Sequence, residues 1–173
     1  ALGPVEAGLR EPTLRGDGLV LRPVRPEDAE ALLAATQEPE NMRLTGTPGS
    51  FDVEQLRAHY RNVAAADDRY DFAITAVDDP QSRWLGEAVL KNIDRVNRCA
   101  GFRISLGGAS QYGRGLGTQA TRLVLEFAFG MLELHRVELA VYDFNPRARH
   151  VYEQVGLVEQ PRQRLGMALG DRE

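Results

Sequence analysis

The sequence predicts one mixed α/β domain. A mostly antiparallel central sheet is flanked by helices, in the order β-α-α-β-β-β-α-β-α-β with a short C-terminal end. Three observations carry that prediction. The 173 residues, 43% apolar and 27% charged, suit a single filled core. Stretches of period-2 alternation and stretches of helical spacing replace one another along the chain, with no internal repeat or heptad run. A glycine-rich connection lies between one predicted strand and the longest predicted helix.

Residues 1–18, rich in Gly, Pro and Glu, show no periodicity and read as a flexible arm, so the domain of residues 19–173 is expected to begin near Leu19. Leu19 to Val24 is a short apolar run, read as a strand. It stops at Arg25-Pro26-Glu27-Asp28, where proline suits a first helical position and the acids suit the positive end of a helix. The helix that follows carries Ala29, Leu32 and Leu33 on one face and is expected to fade by Pro39. After a Gly/Pro/Thr loop from Thr45 to Ser50, Asp52 and Gln55 form a capping-box pattern. Val53, Leu56, Tyr60, Val63 and Ala64 then recur at helical spacing.

Tyr70 to Val77, Trp84 to Ile93 and Cys99 to Leu106 read as an antiparallel meander, with Trp84, Tyr70 and Phe72 as core aromatics. In the third strand Phe102, Ile104 and Leu106 alternate with Arg103 and Ser105, so one face is buried and the other wetted or functional. Beyond Gly117, the residues Ala120, Leu123, Val124, Phe127, Ala128 and Met131 mark a helix of three turns. Val137, Leu139 and Val141 mark the next strand. Asn145 as N-cap, Pro146 as first residue and Gly156 as terminator bound a last helix.

Composition excludes several classes of function. A net charge of −4 has the wrong sign for a nucleic-acid binder. The single Cys99 forms no internal disulfide, and His59, His135 and His150 are too scattered for a metal motif, so no metal is expected. No apolar stretch is long enough to span a bilayer, and Ala1 to Pro12 lacks the pattern of a signal peptide. No membrane partner is therefore expected, and the cytoplasm is the expected address.

The chemistry concentrates in two motifs. Gln111-Tyr112-Gly113-Arg114-Gly115-Leu116-Gly117-Thr118 sets alternating glycines at the start of the long helix. Glycine there tolerates positive φ and lets backbone N–H groups approach a ligand. The helix end favours an anion by roughly 0.3 to 2 kcal/mol. The string is neither a Walker A loop nor a dinucleotide fingerprint. A structural strand-to-helix connection without a ligand stays open on the loop alone. In the second motif, Asn145 and Tyr152 lie about two helical turns apart and face one side. Asn145 alone reads as a cap, and Tyr152 alone as a residue of the helix's apolar stripe.

Taken together, these motifs resemble the GNAT superfamily of acyl-CoA-dependent N-acyltransferases, within it the branch of ribosomal-protein-alanine N-acetyltransferase-like proteins, over Leu19 to Leu157. The resemblance implies that backbone groups of Tyr112, Gly113, Arg114, Gly115, Leu116, Gly117 and Thr118 hold the pyrophosphate of acetyl-CoA, with Arg114 adding charge. It implies that Ile104, Ser105 and Leu106 pair with the pantetheine arm. Tyr152 is implied as the proton donor to the departing thiolate, and Asn145 as a ligand of the coenzyme arm or an ordered water. Tyr112 stands where the superfamily has Gln or Arg, and Gln119 where this branch has Glu. The family closes its sheet with two further strands after the last helix, of which Arg164 to Leu169 is expected to supply one.

Glu87 and Glu138 are the carboxylates expected to face the cleft, with Glu87 preferred as general base, acting through water. For each, a solvated strand position is the competing reading. The expectation is direct transfer of the acetyl group to a protein N-terminal amine or a small amine, without an acyl-enzyme, since no nucleophile is evident. Homodimerisation is left open. Two rivals stand beside it: an acyl-CoA-binding module without turnover, and a nucleotide-binding regulator using the same loop.

Overall fold

The computed structural model describes residues 12–36, 52–107, 115–140, 158–159 and 166–168. The described strands form one sheet in the order β1-β2-β3-β4-β5-β6-β8-β7. Their ranges are β1 Leu14–Arg15, β2 Leu19–Pro23, β3 Tyr70–Ala76, β4 Gly86–Asp94, β5 Cys99–Leu106, β6 Arg136–Ala140, β7 Val158–Glu159 and β8 Gly166–Ala168. All neighbours are antiparallel except β5 and β6. The expected meander is present, and the strand read as Cys99 to Leu106 has those bounds.

Two corrections concern the ends of the sheet. The first strand is not the one at Leu19, because Leu14–Arg15 already pairs with Leu21 and Val20. After the last predicted helix there are two short strands where one was expected, β7 and β8, antiparallel to each other. Strands of two or three residues are held by backbone pairing and are too short to show an alternation pattern in the sequence.

Helices cover both faces of the sheet. A 3-10 turn at Pro26–Asp28 leads into α1, Ala29–Thr36, with proline at the start as the sequence predicts. Asp28 is buried there and takes two bonds from the Arg22 guanidinium, at 2.8 and 2.7 Å, while Arg22 also donates to the Ser82 carbonyl. This forked pair ties β2 to the start of the helix layer and to the turn before Trp84. Helix α2, Val53–Ala65, opens with the predicted reciprocal cap: Gln55 N donates to Asp52 at 2.8 Å, and Asp52 N donates to the Gln55 side chain at 3.0 Å. It buries Leu56, Tyr60 and Val63, whereas Ala64 lies exposed on its outer side.

Helix α3, Leu116–Glu126, lies on the other face. There Ala120 and Val124 meet Leu19, Leu21, Phe72, Ile74, Ala88, Leu90 and Phe102 in the main core. Its continuation differs from the predicted regular helix. Phe127–Met131 is a π-helical turn, in which Leu132 N bonds to Phe127 O at 3.1 Å. The wider turn advances the helix face by one residue. Leu132 therefore packs on the core, and Met131, predicted to be inside, is exposed. The smaller cluster under α1 and α2 joins Val24, Ala35, Tyr60, Val63, Ala73 and Trp84.

Candidate active site

The one parallel ladder of the described sheet lies on the strand read as the coenzyme-binding one. The parallel ladder between β5 and β6 covers only Cys99–Gly101 against Arg136–Glu138. Past Gly101, β5 runs on to Leu106 along β4, while β6, which pairs with β8 on its other edge through Glu138, Leu139 and Ala140, has no further register partner on β5 among the described residues. Among the described residues the parallel ladder therefore ends at Gly101 and Glu138, while β5 continues for five residues more. An extended, amide-bearing chain can bond to a strand edge of this kind. Ile104 and Leu106 lean on the main core, and Ser105 points to the other face with Glu87 opposite it.

The start of α3 fits an anionic ligand. Its N-cap, Gly115, has φ +76 and offers no side-chain cap, and the first helical bond runs from Gln119 N to Gly115 O at 3.0 Å. The N–H groups of Leu116 and Gly117 lie at the positive end of the helix. The Leu116 side chain is buried in the core, so only its backbone faces outward from the helix end. Tyr112, Gly113, Arg114, Asn145 and Tyr152 lie outside the described residues, as do His150 and the last predicted helix.

On the sheet face beneath α2, Glu87 is buried, which corrects the reading of a solvated strand position. The Tyr60 hydroxyl donates to its Oε2 at 2.9 Å, and an Arg103 guanidinium nitrogen donates to its Oε1 at 3.0 Å. Burial first, then the Glu87 charge and hydrogen bond, raise the Tyr60 pKa far above that of a free phenol, so Tyr60 is a proton donor held in place. The Trp84 indole packs in the same cluster. Its buried N–H reaches towards the Tyr60 hydroxyl but, among the described residues, has no partner at hydrogen-bond geometry. Glu138, the other candidate carboxylate, is half-exposed and paired with Arg136 at 2.7 Å.

The sequence reading missed Tyr60 and Arg103 as parts of a site. Tyr60 sat in an apolar helical stripe, where only its hydroxyl hinted at a buried polar partner. Arg103 stands on the strand face read as wetted or functional, with no partner named for it. No group of His, Cys, Asp and Glu side chains among the described residues is arranged to hold a metal ion. No helix among them is long and apolar enough to cross a membrane.

A family model described as an acetyltransferase (GNAT) domain matches residues 18–158. A probable N-acetyltransferase of Bacillus subtilis (strain 168), YjcK, is 31% identical over 151 residues, covering 83% of this chain and 82% of that protein. A spermidine N(1)-acetyltransferase of Vibrio cholerae is 34% identical over 84 residues, 49% of this chain, and the match spans 48% of that enzyme. The crystal structure of spermidine N-acetyltransferase from Vibrio cholerae in complex with CoA and spermine superimposes with a TM-score of 0.72 at 23% identity, covering 87% of this chain and 91% of that one. The chain belongs to the GNAT acetyltransferase family, and by that membership it is an acyltransferase.

Proposed function

We propose that the protein is an N-acetyltransferase that moves the acetyl group of acetyl-CoA directly to a primary amine within a ternary complex. The observation that supports this reading is the end of the β5–β6 ladder at Gly101, together with the left-handed Gly115 at the start of α3. Backbone groups of Ile104, Ser105 and Leu106 take the pantetheine arm. Those of Tyr112, Gly113, Arg114, Gly115, Leu116, Gly117 and Thr118 take the pyrophosphate, with Arg114 adding charge. Asn145 orients the arm or an ordered water.

Glu87 is the base in this reading. It accepts the proton that the amine loses as its nitrogen bonds to the acetyl carbon, directly or through water. Tyr152 is the acid and gives its proton to the sulfur as the carbon–sulfur bond breaks. The chain forms no covalent bond to the acetyl group, because the transfer needs only a base on one side and a donor on the other.

The acceptor class is a protein N-terminal amine or a small amine. Relatives named for spermidine place polyamines among the small amines to be tried. The test is thiol release from acetyl-CoA against peptides that begin with Ala or Ser, spermidine and spermine, with Tyr152→Phe as control. Turnover of one of these, slowed by about 10² to 10⁴ in the variant, supports the reading. Tight CoA binding without thiol release from any acceptor supports the non-catalytic module. Stabilisation by ATP rather than by CoA supports the nucleotide-binding regulator.

A further inference from the structure

We infer that Tyr60 is a positioning residue for Glu87. Together with Arg103 it holds the two carboxylate oxygens on separate donors, so that helix α2 sets the orientation of the base. This inference rests on the reading of Glu87 as the base. Tyr60 has no exposed surface and Glu87 is 4% exposed. Their bond joins a helix to a strand 27 residues further along the chain.

The two donors approach from different layers. Tyr60 comes down from α2 onto Oε2, and Arg103 comes sideways from β5 onto Oε1. In the β4–β5 ladder Arg103 stands opposite Val89 and Ser105 stands opposite Glu87, so the guanidinium reaches the carboxylate along the diagonal. With one oxygen fixed by each donor, rotation of the carboxyl group breaks a bond to a buried partner. Lone pairs remain on both oxygens for a proton from substrate or water. A phenylalanine at position 60 would fill the same space in the cluster of Val24, Val63, Ala73 and Trp84. The hydroxyl is therefore not needed for packing.

The charged groups around this pair come from every neighbouring element. Arg103 lies on β5, Arg69 just before β3 acts on Glu87, and Asp28 in the turn before α1 acts on Tyr60. Lys91 and Asp71 share the sheet face and act on each other. Tyr60→Phe leaves all of these charges in place, so a change in the titration of Glu87 reports the lost hydroxyl.

The experiment has an arm that needs no acceptor. Carbon-13 NMR of glutamate-labelled protein, with the Glu87 signal assigned by its loss in Glu87→Gln, gives the titration midpoint of that carboxyl. Tyr60→Phe is expected to raise the midpoint, because the Tyr60 hydroxyl that donates to Oε2 of the carboxylate is gone. Arg103→Met is expected to raise it further, since a charge is lost as well, and this variant keeps the test valid if Tyr60→Phe fails to fold. In thiol-release kinetics with spermidine or an Ala-initiated peptide, whichever is turned over, Tyr60→Phe is expected to lower kcat about tenfold. It should leave KM for acetyl-CoA unchanged and move the acidic limb of kcat/KM to higher pH. An unmoved or lowered midpoint in both variants overturns the inference. Full activity of Glu87→Gln, with the midpoint shifts present, overturns the reading of Glu87 as base and leaves the positioning contact standing.

Discussion

Glu87 lies directly opposite Ser105 in the ladder between β4 and β5. The carboxylate proposed as base and the strand proposed to hold the coenzyme arm are therefore in fixed register, joined by backbone hydrogen bonds. This register brings the acceptor side and the coenzyme side of the site together without a flexible connection. It also makes the geometry of the site sensitive to anything that parts the two strands.

Gly86 is the first place where that sensitivity can be read. A Cβ at this position would stand 2.5 Å from the Ser105 carbonyl oxygen and 3.0 Å from the Leu106 Cα, both backbone atoms that cannot swing aside. Gly86→Ala is expected to cost about 1–3 kcal/mol, as overpacking does, and to lower kcat more than it raises KM. Gly101→Ala is the control. The nearest atoms to its Cβ are 3.6 Å away, so the melting temperature and turnover should stay near those of the parent. Thermal melts and thiol-release kinetics on the two variants check both statements.

Gly115 tests the other end of the coenzyme site. Its φ of +76 is strained for any residue with a Cβ, while among the described residues the nearest atom to that Cβ would be Gln119 Nε2 at 3.9 Å. The cost of Gly115→Ala is therefore conformational and not steric, about 1–2 kcal/mol. In a chain of this size that corresponds to a melting temperature lower by about 2–4 °C for each kcal/mol. Gly115→Asn should recover part of the loss, since asparagine tolerates the left-handed conformation. KM for acetyl-CoA is expected to rise in the alanine variant as the α3 amides lose their aim.

Lys91 gives a prediction in pH. Burial lowers its pKa below the ordinary 10.5, and the nearby Arg103 and Arg69 cations lower it further. A lysine whose folded pKa is depressed opposes folding while it is charged. That opposition is present at neutral pH and fades as pH rises through the folded value towards 10.5. Lys91→Met keeps the aliphatic stem over Gly101 and removes the charge. It should raise the melting temperature at pH 7, with the difference from the parent shrinking towards pH 10.5. A difference that is constant across that range would contradict the assignment.

The parts of this structure that the sequence made legible are those set by local chemistry. The Asp52–Gln55 cap and Pro26 at its helix start need only neighbouring residues to be read, and the structure has them, whereas along β5 Phe102 is buried and Ile104 and Leu106 are partly exposed like Arg103 and Ser105. The features that stayed hidden depend on distant partners or on very short elements. Leu14–Arg15 is a strand only because β2 lies beside it. Met131 left the core because of one wide turn that no periodicity announces. Tyr60 and Glu87 are far apart in sequence, so a stripe of apolar positions on one and an acidic strand residue on the other gave no sign of their bond. Burial of Glu87 was equally illegible, because an acid in a strand is exposed unless something pairs with it.

In the proposed function the coenzyme enters beside β5 where its ladder with β6 ends. A crystal structure with bound acetyl-CoA tests it most directly, through the distance from the thioester sulfur to the Tyr152 hydroxyl and the partners of the pantetheine amides. The account predicts amide hydrogen bonds to the backbone of Ile104–Leu106, the diphosphate on the N–H groups at the start of α3, and the Tyr152 hydroxyl within hydrogen-bond reach of the sulfur. A coenzyme seated elsewhere, or a Tyr152 hydroxyl buried away from the sulfur, would contradict it.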